Sequence, residues 1–178
     1  MIEFQKPKID SSISMAKLAE VSKKSKDILL KAAQESKNPN VKMTSARREP
    51  EEQANAMFIN LKNGNNIKYK SAGEEVVAVF NQYSNKCLPE DVKAKMTAKI
   101  IELSMKGQRV SLHCVDIDTY NKMNIVDVSL QMPNPRDFIA ELLKFDDVKQ
   151  VIAPFYLPTL KRYKYSKAEQ AIHIEIKQ

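Results

Sequence analysis

This chain has only two histidines, and each stands in a stretch that alternates apolar and polar residues. In Arg109-Val-Ser-Leu-His-Cys-Val-Asp116, an extended chain puts Val110, Leu112 and Cys114 on one face and Ser111 and His113 on the other. In Ala171-Ile-His-Ile-Glu-Ile176, Ile172, Ile174 and Ile176 oppose His173 and Glu175. A third stretch, Ile125-Val-Asp-Val-Ser-Leu-Gln-Met132, sets Val126, Val128 and Leu130 against Asp127, Ser129 and Gln131. Period-two alternation marks a half-buried strand. If the three strands share a sheet, His113, Asp127 and His173 converge on one side of it. Two imidazoles and one carboxylate, with a position left for water, suit a catalytic zinc ion. A lone histidine on a strand is usually structural. An aspartate inside a strand, however, runs against β-propensity and needs a charged or hydrogen-bonding partner, which a metal ion would provide.

The elements around these residues follow from periodicity and capping. Leu18, Val21, Ser25, Ile28, Leu29 and Ala32 recur at helical spacing, which predicts one long amphipathic helix over 12–36 after a loose lead-in. Asn38-Pro39-Asn40 ends it. A short strand over 41–45 leads to Pro50 and two glutamates, a helix start whose buried stripe is Ala54, Met57, Phe58 and Leu61 and which the turn residues 63–66 close. Ser71-Ala-Gly-Glu74 has capping-box spacing and opens a helix to about residue 83, with Val76, Val79 and Phe80 inward. Another helix runs from Leu88-Pro89 to Gly107 on Val92, Met96, Ile100 and Leu103. Asn134-Pro135 supplies a cap and first-turn proline for a helix to Phe145. A strand over 148–152 and a loop over 154–167 near the site precede the last strand. Helices crowd the first two thirds and strands the last third, without βαβ alternation. The expected class is α+β with a mostly antiparallel sheet flanked by helices.

Composition bounds the function. A chain of 178 residues, 43% hydrophobic and 29% charged, is expected to form a single globular unit. Residues 1–40 would be a lead-in and helix packed on a 41–178 core domain. No run approaches the roughly 18 apolar residues that cross a bilayer. The first residues lack the apolar stretch of a secretory signal, so the expectation is synthesis in the cytoplasm and exit by lysis or a specialised secretion route. The net charge of +7 favours acidic partners. That surplus is mostly lysine spread along the chain, whereas nucleic-acid readers lean on arginine for bidentate base contacts. A basic nucleic-acid-binding protein is therefore the weaker alternative, and no specific nucleic-acid partner is expected. Cys87 and Cys114 announce no disulfide framework. Cys114 alternates toward the apolar face and reads as a buried thiol.

Three segments resemble the zinc peptidases that cleave bacterial cell-wall peptides, a family that includes D-alanyl-D-alanine carboxypeptidases and phage L-alanyl-D-glutamate endopeptidases. Thr44-Ser-Ala-Arg-Arg-Glu-Pro-Glu-Glu-Gln53 is similar to the family's Thr-Ser-Gly-Tyr-Arg-Ser-Pro-Glu-Glu-Gln, which puts Arg48 on the arginine used near substrate. Ser111-Leu-His113 is similar to the Ser-x-His that gives the first zinc ligand, and Ile172-His-Ile-Glu175 to the terminal strand that gives the last. The resemblance spans about residues 41–176 in order, and it implies a fold like that of D,D-peptidases and Hedgehog proteins.

The chain departs from the pattern at two points. The family's aspartate stands seven residues after its first histidine; here Asp116 and Asp118 come too early, and Asp127 is chosen because its strand matches the family's, which implies that residues 116–123 are an inserted loop. The family's acidic general base stands three positions before the last histidine, where this chain has Gln170. A glutamine cannot take a proton from water, so the base would be Glu169 or Glu175, or be absent.

The resemblance thus implies a monomeric zinc metallopeptidase acting on peptidoglycan peptide. His113, Asp127 and His173 would be its ligands. Glu169 comes first and Glu175 second as base, Arg48 pairs with a substrate carboxylate or the developing oxyanion, and Ser111 hydrogen-bonds beside the site. A non-catalytic wall- or partner-binding relative of the same fold is the alternative.

Overall fold

The computed structural model describes residues 6–65, 67–69 and 71–178. The first five residues of the expected lead-in, and Asn66 in the expected turn, lie outside them. The chain forms two compact units. One combines the described residues up to Arg47 with Ile117–Gln178; the other is Arg48–Asp116.

The first unit is built on a six-stranded sheet. In chain order its strands are β1 (Lys8–Ser11), β2 (Asn40–Ser45), β3 (Met123–Ser129), β4 (Val148–Ala153), β5 (Tyr163–Tyr165) and β6 (Ala171–Lys177), arranged β1-β2-β3-β6-β4-β5. The two outermost pairs, β1 with β2 and β4 with β5, are parallel; the pairs between them are antiparallel. The fold class is therefore α+β with a mixed sheet, not the mostly antiparallel one expected. Two strands that carried no sequence signal make the difference. β1 falls in the expected lead-in, and β5 in the expected 154–167 loop.

Alternation decides which face of this sheet is which. Val126 and Val128 on β3, Ile172 and Ile174 on β6 and Val151 on β4 are all fully buried. They form an apolar layer with helices α2 (Lys23–Glu35) and α7 (Pro135–Leu142), whose Leu29, Ala32, Phe138 and Leu142 are equally inaccessible. The other face carries a row of paired residues: Ser45 opposite Asp127, Asp127 opposite His173, His173 opposite Ile152, and Ile152 opposite Lys164. Paired residues in neighbouring strands point to the same side about 4.8 Å apart. The register that buries the valines and isoleucines thus sets Asp127 beside His173.

Several elements depart from expectation. The helix expected over 12–36 is two, α1 (Met15–Glu20) and α2, because Val21 is extended and the Ser22 hydroxyl caps a new start by accepting from the Ser25 N–H at 3.0 Å. The expected inserted loop is helix α6 (Ile117–Lys122), on which the wholly buried Tyr120 donates to the Ile125 carbonyl at 3.3 Å. Helix α7 stops at Leu142 rather than Phe145. The Asn134 side chain does not cap it, since its amide donates to the Ser36 carbonyl at 3.1 Å.

The second unit is helical: α3 (Pro50–Lys62), α4 (Ser71–Tyr83) and α5 (Pro89–Met105) bury Met57, Val76, Val92, Met96, Ile100 and Leu103 together. These are the stripes that the periodicity predicts. Gly107, at φ +71°, closes α5 in the left-handed conformation that glycine adopts without strain. The strand expected over 109–116 does not form; these residues are irregular, with bends at Val110, Leu112 and His113. Leu112, expected inward, is 38% exposed. Val110 and Cys114 are half-buried against the helical cluster, so Cys114 is a partly accessible thiol rather than a buried one. Among the described residues, no helix is long and apolar enough to cross a membrane.

Candidate metal centre

Asp127 and His173 are neighbours in the β3–β6 ladder, and their side chains meet. His173 Nδ1 stands 3.0 Å from Asp127 Oδ1. The other ring nitrogen, Nε2, faces Glu175 Oε1 at 3.9 Å, and Glu175 Oε2 receives Lys149 Nζ at 3.2 Å. Lys149 lies where the β4–β6 register shifts between Val148 and Gln150. Such a shift sets two consecutive residues, Lys149 and Gln150, between the buried Val148 and Val151, with Gln150 opposite Glu175. The chain Asp127–His173–Glu175–Lys149 therefore runs along one side of the sheet with alternating charge.

Burial by itself would push the imidazole's pKa down. The hydrogen bond to Asp127 and the neighbouring Glu175 carboxylate outweigh it and carry His173 up to about 9. Glu175 is held below the usual carboxylate range by His173, against its own burial, with Lys149 adding to the effect.

His113 is positioned by other means. It is 6% exposed. Its N–H donates to the Ser111 hydroxyl at 3.3 Å, a short-range turn contact of the kind serine makes with the backbone two residues on. Its carbonyl accepts from the Arg48 N–H at 2.8 Å and from the Val115 N–H at 3.2 Å. The Arg48 guanidinium donates through Nη1 to the buried Gln53 at 3.2 Å. The adjacent Arg47 makes a different bond, donating through Nε and Nη2 to both Glu20 oxygens at 2.8 and 3.1 Å.

His113, Asp127 and His173 each offer one ligand atom, and these atoms all lie within 4.8 Å of one another. Both histidines are buried and Asp127 is half-buried. Such a group could hold a metal ion. Glu169 is half-buried in the turn before β6, where its N–H donates to the Ser166 carbonyl at 3.1 Å; Gln170 beside it is exposed.

The sequence reading missed Lys149, Gln53 and the Arg47–Glu20 pair. Nothing in the residues near Lys149 announces it, because its contact with Glu175 depends on how β4 pairs with β6. Arg47 and Arg48 read alike until the chain's path separates them. No protein-family model, curated protein or solved structure matches this chain.

Proposed function

We propose that this protein is a zinc-dependent peptidase that hydrolyses an amide bond in bacterial peptidoglycan peptides. The observation that carries the reading is the gathering of His113, Asp127 and His173, which are far apart in sequence, around one point with metal-ligand chemistry. Two neutral imidazoles and one carboxylate are the donor set of a catalytic zinc site with an open position. Bound there, the ion would supply positive charge that brings the pKa of a water toward neutrality and polarises a scissile carbonyl.

The chain's own groups do the rest. Asp127 and the two imidazoles fix the ion and partly neutralise it. Glu169, in the turn leading into β6, takes the proton from the attacking water and returns it to the leaving amine. The Arg48 guanidinium pairs with a carboxylate of the wall peptide, while its backbone N–H holds the segment that carries His113. The surplus of lysine favours accumulation on an anionic wall.

The test is direct. Full-length protein equilibrated with zinc and freed of excess metal is expected to retain one ion per chain and to release new amino groups from purified bacterial wall. His113→Ala is expected to lose both properties, and Glu169→Gln only the second. Wild-type protein that retains no zinc would end the reading. Gln170 at the position of the family's acidic base favours a second one, a non-catalytic wall-binding relative. Zinc retained with no amines released from any wall type would select it.

A further inference from the structure

With Glu169 moving the proton, Glu175 is a buried carboxylate without a task. Its side chain is 6% exposed and faces an imidazole on one side and an ammonium on the other. A general base has to reach a water, and both edges of this one are already turned to other groups. We propose that Glu175, held in place by Lys149, is a positioning residue for His173: it accepts the Nε2–H of the imidazole and so presents the unprotonated Nδ1 to the metal ion. The inference rests on the metal reading of the His113–Asp127–His173 group.

The geometry of one sheet carries it. Nδ1 lies 3.0 Å from Asp127 Oδ1, so it is the nitrogen on the side of the neighbouring ligand. Nε2 points the other way, 3.9 Å from Glu175 Oε1, and about 1 Å of closure makes that a hydrogen bond. A neutral imidazole has one proton, and a carboxylate beside one nitrogen keeps it there and frees the other for a metal. Residues two apart on a strand share a face, so β6 itself holds the imidazole and carboxylate at this spacing. Lys149 then turns an ammonium onto the far oxygen at 3.2 Å, which keeps the carboxylate charged and stationary.

The experiment uses the full chain, loaded with zinc, in three variants: Glu175→Ala, Glu175→Gln and Lys149→Met. Zinc affinity is read by competition with a chromophoric chelator, and the protonation of both imidazoles by long-range proton–nitrogen NMR. Wild-type His173 is expected to carry its proton on Nε2 and metal on Nδ1. Glu175→Ala should weaken zinc binding about 10- to 100-fold. Glu175→Gln, whose amide oxygen still accepts, should recover most of that loss, while its Nε2–H resonance moves upfield as a charged acceptor becomes neutral. Lys149→Met should cost a few-fold. Unchanged affinity in Glu175→Ala, or metal on Nε2, would overturn the proposal. If Glu175→Ala does not fold, an Nε2–H resonance unmoved in Glu175→Gln overturns it equally. A failure of the metal reading appears in the wild type, which would then bind no zinc; a failure of this inference alone appears only in the variants.

Discussion

His173 and His113 are both buried imidazoles, yet the chain places them by opposite means. His173 is fixed by register. Ile172 and Ile174 on either side of it are fully buried in the apolar layer, and slipping β6 by one residue would exchange every isoleucine for a polar group. Its position is thus enforced by the same burial that stabilises the sheet. His113 stands in a stretch without regular structure, and its backbone is tied by local hydrogen bonds: its N–H to the Ser111 hydroxyl, and its carbonyl to the N–H groups of Arg48 and Val115. The comparison teaches that geometry and stability are coupled at one ligand and separable at the other.

The strongest way to break the comparison is to attack the ladder. Ile174→Ala removes a fully buried side chain between His173 and Glu175. Chemical denaturation should show a loss of about 2–5 kcal/mol, with zinc affinity falling in the same variant because the strand that aims His173 is loosened. If Ile174→Ala costs that stability while zinc affinity is untouched, register is not what positions the imidazole.

Titration is the next largest effect, and its sign follows from the raised pKa of His173. A folded-state value of about 9 against about 6.5 in the unfolded chain means that the native state binds the proton more tightly. The stability that this proton contributes is fully present below pH 6.5 and is lost as pH rises from there through about 9. Metal-free protein should therefore become easier to denature across that window, by at most about 1.4 kcal/mol per pH unit for one proton. Asp127→Asn should flatten the slope, since it removes the anion that holds the proton. Zinc affinity should move the opposite way and strengthen over the same interval, because metal and proton compete for one nitrogen. A metal-free stability profile flat from pH 6.5 to 9 would show that the ladder pair does not hold its proton in solution.

The same contrast explains what was legible in the sequence. Asp127 and His173 could be placed because alternation in β3 and β6 is strict, and strict alternation states a face. The three helices of the Arg48–Asp116 unit could be placed because their stripes repeat and because proline and glycine mark their ends. The alternation of Val110, Leu112 and Cys114 predicts a strand for His113. Three apolar residues at spacing two are too few to decide between a strand and a turn, and the half-buried Val110 and Cys114 pack on helices instead. β5 has three residues and β1 four, too short for a period to show. Their parallel pairing with β4 and β2 belongs to the path of the chain and not to any local pattern. Lys149 was not legible because its partner Glu175 is set by the β4–β6 register, which shifts between Val148 and Gln150 and leaves no mark in the local sequence.

The smallest expected effect on stability is also the sharpest test of the difference between the two histidines. Ser111→Ala deletes a half-buried hydroxyl that accepts the His113 N–H at 3.3 Å, a long contact. One such contact contributes about 0.5–1.5 kcal/mol at most, and exposure of the segment lets water replace part of it, so the melting temperature should hardly move. The Arg48 N–H bond to the His113 carbonyl, at 2.8 Å, remains in the variant and keeps the segment folded. What changes is the rotational freedom of the imidazole's backbone, and a ligand that must be ordered on binding weakens the site by the entropy of ordering it. Zinc affinity should therefore fall several-fold with almost no change in stability, the reverse of a structural substitution in β6. Equal losses of both would mean that the 109–116 segment is as integral to the fold as the sheet, and that the two imidazoles are held by one mechanism after all.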